Sequence, residues 1–131
     1  MLDKANLSFE FPGGLVTDAE EIDRAVRAAD MVSNHVVLGI DAEQETFYAE
    51  AEGDIDDISL TLPANDLVEF TSGDARSLFS IDYLKAINRA MPRDIEIDLQ
   101  LGTDMPLALR YAFAEGSGSV EYLVSPRIAT H

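Results

Sequence analysis

Nine side chains in this sequence are Lys or Arg, against twenty-five Asp and Glu. Seven of the nine are Arg, and the two lysines are Lys4 and Lys85. Without a cofactor, the chemistry open to such groups is to hold phosphate or carboxylate. Five of them, Arg24, Arg27, Lys85, Arg89 and Arg93, fall in or just after two stretches of helical spacing. On a helical wheel Arg24 and Arg27 lie opposite Ile22, Val26 and Ala29. Lys85 and Arg89 lie opposite Leu84, Ile87 and Met91, and Arg93 follows the second stretch. Two outer helix faces thus carry the scarce positive charge, an arrangement that can touch the phosphates of a polyanion without reading its sequence. The same spacing also allows plain surface ion pairs: Glu20–Arg24, Asp23–Arg27 and Asp82–Lys85. No aromatic interleaving or base-reading motif accompanies the cations.

Other chemistries find little support. The absence of Cys removes disulfides, thiolate nucleophiles and Cys-ligated metals. His35 has no second His or Cys near it, and His131 is terminal. Asp54, Asp56 and Asp57 lack the spacing, the Gly and the closing Glu of an EF-hand, which favours a solvated acidic turn. No nucleophile elbow, P-loop or dinucleotide fingerprint occurs. With so many acids a carboxylate-pair hydrolase is a rival in principle, but no pair stands in a readable motif. No enzymatic activity, cofactor or metal is expected.

The 131 residues have the length of one domain, and 47% hydrophobic content is enough for a core. The formal charge is −16. An acid excess of this size with almost no Lys fits a cytoplasm at very high salt. There the Debye length is roughly 3 Å and carboxylate self-repulsion is weak. No apolar run is long enough to span a bilayer. Met1-Leu2-Asp3-Lys4 has neither the basic flank nor the apolar core of a signal peptide, so a cytoplasmic, high-salt location is expected.

Those cations need elements to position them. The first helix begins at Asp18, with Glu21 placed to complete a capping box. The second begins at Ser80 and stops at Pro92. Ile95, Ile97, Leu99 and Leu101 alternate with polar residues, as do Ile58, Leu60 and Leu62. Residues 36–40, 46–51 and 67–70 are shorter strand candidates. Residues 107–113 and 120–124 flank Glu115-Gly116-Ser117-Gly118 and should form a hairpin. The order predicts an α+β fold, two helices on mostly antiparallel sheets. Residues 1–14 read as a connector that docks on a surface, with Phe9 and Phe11 on one side of an extended segment.

Several stretches resemble one family in the right order. Ile22 to Ser33 looks like the first helix of the C-terminal domain of archaeal PCNA, the DNA sliding clamp. Phe47 to Asp54 with Asp56-Asp57, Ala75 to Lys85, and Tyr111 to Ile128 resemble later parts of the same domain. The resemblance runs from about Leu7 to Ile128, and the haloarchaeal members are the most similar in character. It implies the DNA-clamp (processivity) fold, with 1–14 as the second half of an interdomain connector and 15–131 as a single clamp domain. It implies a processivity factor that encircles double-stranded DNA, with Arg24, Arg27, Lys85, Arg89 and Arg93 at inner-wall positions. It implies short docking peptides from DNA polymerase, clamp loader, nuclease or ligase. Their pocket maps to Phe9, Phe11, Met105, Pro106, Ser125 and Pro126, although plain docking of Phe9 and Phe11 onto their own domain reads equally well.

A subunit of that family has two such domains, and this chain holds one. It is either a piece of a longer clamp or a natural half-clamp, for example from a virus. The resemblance also makes Asp57–Leu62 and Val120–Val124 open sheet edges that pair with other clamp domains. Six copies could close a ring head to tail, or the chain could bind another clamp and regulate it without encircling DNA.

Overall fold

The computed structural model describes residues 10–127. The chain runs β1 (Gly13–Asp18), α1 (Ala19–Asp30), β2 (His35–Asp41), β3 (Thr46–Glu52), β4 (Asp57–Pro63), β5 (Glu69–Thr71), β6 (Ala75–Ser80), α2 (Ile81–Ala90), β7 (Glu96–Leu101), β8 (Leu107–Phe113) and β9 (Gly118–Val124). Every described strand pairing is antiparallel. One sheet has the order β5-β1-β7-β8-β9 and the other β4-β3-β2-β6. The two helices pack side by side. Both sheets and both helices share one core, which includes Leu15, Ile22, Val26, Leu38, Phe47, Phe79, Leu84, Ile97 and Leu109. The expected α+β class is the observed one.

The buried stripes follow the sequence spacing. Ile22, Ala25, Val26 and Ala29 are buried on α1, and Leu84, Ile87 and Met91 on or just beyond α2. Each lies on a helix face defined by positions three and four apart, which is why the remaining faces are free to carry charge. The helix starts depart from expectation in their chemistry. Asp18 and Ser80 do occupy the N-cap positions with extended backbone, but neither side chain caps the helix. Instead the Ala19 amide donates to the Ile95 carbonyl at 2.9 Å, and the Ile81 amide to the Asn34 carbonyl at 3.0 Å. Each helix follows its strand without a loop, so a carbonyl of a neighbouring segment accepts from the first helical amide, whereas a cap side chain would serve the second or third.

The strands match their patterns with local shifts. On β7, Ile97, Leu99 and Leu101 are buried while Glu96 is exposed. On β4, Ile58, Leu60 and Leu62 are only half-buried, because that strand has a neighbour on one side alone. The candidate at 67–70 is displaced to Glu69–Thr71, since a 3₁₀ turn at Ala64–Asp66 ends on Leu67. The β8–β9 hairpin forms, with Ala114, Glu115 and Gly116 all at positive φ and the Ser117 amide and hydroxyl both donating to the Ala114 carbonyl. Gly13 and Gly14, expected in the connector, are buried in β1 and pair with Leu101 and Gln100. The regular sheet therefore begins two residues before the expected boundary.

Candidate nucleic-acid interface

The outer surface of the helix pair is where the sequence placed its cations. Arg24, Arg27, Arg89 and Arg93 are exposed, and Lys85 is half-buried. A groove of about 250 Å³ runs between α1 and α2, and Arg27, Lys85, Arg89 and Arg93 all line it, together with Asp23 and Asp30. Arg24 lies outside that groove on the outer face of α1 and is exposed there.

Ion pairing divides these five cations into two groups. Arg24 Nη1 is 3.0 Å from Glu21 Oε1, Arg27 Nε is 3.0 Å from Asp23 Oδ2, and Lys85 Nζ is 3.1 Å from Asp30 Oδ2. Only the Asp23–Arg27 pair was expected. Arg24 takes Glu21 one residue nearer than Glu20, and Lys85 reaches across to α1 in place of Asp82. That cross-helix pair exists because the helices pack side by side, which a wheel drawn for one helix does not contain. Among the described residues, Arg89 and Arg93 form no ion pair, so they carry the uncompensated charge of this surface. The partnered cations are largely solvated, and such pairs contribute about 0–1 kcal/mol each, so they can be exchanged for another anion.

The strand cations are held elsewhere. Arg110 pairs with Glu121 at 2.9 Å across β8 and β9. Arg76 donates to the Tyr48 hydroxyl at 3.3 Å and to Glu50 at 3.2 Å, with its guanidinium 5.8 Å from the Tyr48 ring centre. The bond to Tyr48, reinforced by Glu50, holds Arg76 above its ordinary range despite partial burial. Arg76, Tyr48 and Glu50 lie in a shallow polar depression of about 650 Å³ on the four-stranded sheet, lined also by Asp41 and Asp74. Its acids outnumber its one cation, so it does not extend the helix surface.

Of the residues expected to form a peptide pocket, Met105, Pro106, Ser125 and Pro126 belong to segments anchored on β6. Met105 and Pro106 lie in the β7–β8 loop, half-buried. That loop is tied to β6 by the Asp104 amide donating to the Arg76 carbonyl at 3.3 Å and the Ser77 hydroxyl donating to the Gly102 carbonyl at 2.8 Å. The Met105 side chain covers Gly102, where a Cβ would collide with it. Ser125 and Pro126 follow β9, and the next residue bonds β6 through the Arg127 amide and the Leu78 carbonyl at 2.7 Å. Arg76, Ser77 and Leu78 thus anchor both segments in succession. Phe11 is half-buried and precedes β1, whose first residue pairs with Leu101. Phe9 lies outside the described residues.

Two features of the surface went unread in the sequence. One is the donor Asn88, which lines the interhelical groove from a position between the charged and buried faces of α2. The other is an apolar groove of about 350 Å³ formed by Tyr83, Ile87, Tyr122, Leu123 and Val124, where α2 meets β9. Tyr83 and Leu123 are 67% and 44% exposed. The unpaired edge of β9 offered a signal for the second, because an apolar residue on an edge strand that faces solvent has no neighbour to cover it. At the acidic turn, no group of three or more potential metal ligands occurs among the described residues. No described helix is long and apolar enough to cross a membrane.

No protein-family model matches the chain. It is 50% identical over 119 residues to the DNA polymerase sliding clamp of Haloarcula marismortui, covering 91% of this chain and 48% of that protein. It is 52% identical over 114 residues to the DNA polymerase sliding clamp of Natronomonas pharaonis, covering 87% of this chain and 46% of that protein. The chain spans about half the length of the curated relatives it matches. Among solved structures, the complex described as the C-terminal region of FEN-1 bound to A. fulgidus PCNA matches with TM-score 0.87 and 37% identity, over 95% of this chain and 50% of that one. PCNA from Thermococcus kodakaraensis matches with TM-score 0.83 and 28% identity, over 92% and 49%. Two helices on two antiparallel sheets, the fit to solved PCNA structures and haloarchaeal relatives at this identity lead to one conclusion: over the half of a clamp that it spans, this chain belongs to the PCNA family of DNA polymerase sliding clamps.

Proposed function

We propose that the chain acts as one domain of a DNA sliding clamp, a non-enzymatic processivity factor and docking platform that contacts duplex DNA without sequence preference. The observation that carries this reading is the helix pair. In a protein of formal charge −16, the outer surface of α1 and α2 bears five of nine cations, two of them unpaired among the described residues. A surface of this kind engages phosphates and leaves base edges unread. Closure of a ring needs other clamp domains, and of the four end strands of the two sheets β4 and β9 are the pair that would meet them. β4 ends one sheet and β9 ends the other. Antiparallel addition of β4 from one copy to β9 of the next would pair both, and the apolar groove beside β9 would be covered. Light scattering after size exclusion at high salt tests this. A six-domain mass supports a ring. A monomeric mass, or a complex only with a full-length clamp, supports the second reading, a half-clamp that regulates another clamp through the same open edges.

Partner recognition belongs to the segment beside β6. A peptide with apolar anchors from a polymerase, clamp loader, nuclease or ligase would seat against Phe11, Met105, Pro106, Ser125 and Pro126, with Phe9 as a further connector contact. The clamp relative of known structure that is described with a bound FEN-1 region supports a docking role. Replacing Phe11 by Ala is expected to weaken such a peptide about tenfold, the usual effect of truncating an aromatic contact. Calorimetric titration with the peptide measures it, and an unaltered affinity removes Phe11 from the pocket.

A further inference from the structure

We infer that Gly73 is a positioning residue for partner recognition: its bare Cα seats the Pro12 carbonyl and so sets the direction in which the connector, with Phe11, leaves the domain. The inference rests on the proposal that Phe11 contacts docking peptides, and it goes further by naming what holds Phe11 in place.

A Cβ on Gly73 would overlap the Pro12 carbonyl. The closeness is mutual, since a Cβ on Gly13 would collide with the Gly73 carbonyl and come within 2.8 Å of Ile40 Cδ1. Two backbones therefore pack directly on each other, the entry to β1 against the β5–β6 loop, at a separation that leaves room for glycine alone. The loop is braced on both sides of Gly73. The Ser72 hydroxyl donates to the Ala42 carbonyl at 3.3 Å, and the Ala42 amide donates to Asp74 Oδ1 at 2.8 Å. Both bonds tie the loop to the β2–β3 turn. The connector side yields more easily, because β1 begins only at Gly13 and the exposed Pro12 has no amide hydrogen to anchor it. A methyl group added at position 73 therefore displaces the connector and leaves the loop where it is.

A displacement at Pro12 reaches Phe11 because the backbone between them is stiff. The pyrrolidine ring fixes φ at Pro12 and keeps the preceding residue extended. Phe11-Pro12-Gly13 is thus a short rigid arm with its base on Gly73 and the half-buried Phe11 ring at its tip. An arm already set in place loses little freedom when a peptide seats against it, and that saving appears as affinity.

Calorimetric titration of the whole chain with a synthetic docking peptide of aliphatic and aromatic anchors, the titrant used for the Phe11 variant, tests the inference. G73A is expected to weaken the peptide about fivefold. In the F11A background the same substitution should cost less than about twofold, because the arm has lost its contact. S72A/D74A frees the loop to recede and should restore most of the affinity of the G73A chain, a rescue that a general loss of stability would not show. P12G loosens the arm without adding an atom and should weaken the peptide about threefold. It keeps the inference testable if circular dichroism shows G73A unfolded. Wild-type affinity in folded G73A or in P12G overturns the inference. So does an equal loss from G73A in both backgrounds, or no recovery on releasing the loop, and either result leaves Phe11 in the pocket. An unaltered affinity in F11A alone removes the pocket reading itself, and the role of Gly73 falls with it.

Discussion

Reversing Arg89 and Arg93 to Glu is expected to reduce duplex affinity about a hundredfold, whereas reversing Arg24 and Arg27 costs only about fivefold. The difference follows from the ion pairs. Arg24 and Arg27 already face Glu21 and Asp23 at 3.0 Å, so part of their charge is spent before DNA arrives. Arg89 and Arg93 have no such partner among the described residues, and each reversal replaces a free phosphate contact by a repelling carboxylate. Lys85 is intermediate, because its partner Asp30 lies on the other helix and the pair also ties the helices together. Fluorescence anisotropy with a labelled duplex, repeated over a salt series, reads both the affinity and the number of phosphate contacts. The slope of log affinity against log salt should flatten by nearly two contacts in the Arg89/Arg93 variant and by less than one in the other. Equal losses in the two variants would mean that solvated ion pairs do not ration the charge here. All four residues are exposed, so a folding defect is not expected to confound the comparison.

The second large effect concerns the open edge. Exchanging Leu123 and Tyr83 for Asp is expected to abolish association between clamp domains, shifting the light-scattering mass to that of a monomer. Both side chains border the apolar groove between α2 and β9, and both are substantially exposed in the isolated domain. Covering them in an interface would remove their apolar area from water. At about 1.5–3 kcal/mol for a fully buried side chain of this size, the 67% and 44% that are exposed account together for a change of about one to two powers of ten in the dissociation constant. A carboxylate placed there would also be buried without a partner. Because the two positions are solvent-facing in the monomer, circular dichroism should remain native. A wild-type mass distribution in the double variant would remove this groove from the interface and leave β4–β9 pairing without its apolar support.

Much of this architecture was legible in the chain because it depends on short-range periodicity. The helix stripes Ile22/Ala25/Val26/Ala29 and Leu84/Ile87/Met91 are buried as their spacing requires. Strict alternation predicted β7, and turn residues predicted the β8–β9 hairpin. Since the inner face of a helix is set by its apolar residues, the outward direction of Arg24, Arg27, Lys85 and Arg89 followed from the same spacing. The strand candidate at 67–70 was misplaced because a 3₁₀ turn, which has no period to detect, occupies its start.

Local spacing determined which residues are buried and which face outward, since a helix or strand repeats within a few residues. Tertiary structure decided everything that depends on two segments meeting. It left the Asp18 and Ser80 side chains without a capping bond while the carbonyls of Ile95 and Asn34 accept from the first helical amides, and it gave Lys85 the partner Asp30 instead of Asp82. It brought the loop of Met105, before the β8–β9 hairpin, and the tail of Pro126, after it, to one strand, β6. Among the described residues it also left Arg89 and Arg93 without an acidic partner and the Asn88 amide without an acceptor. Hydrogen bonds and ion pairs act over a few ångströms in space, and separation along the chain does not encode that distance.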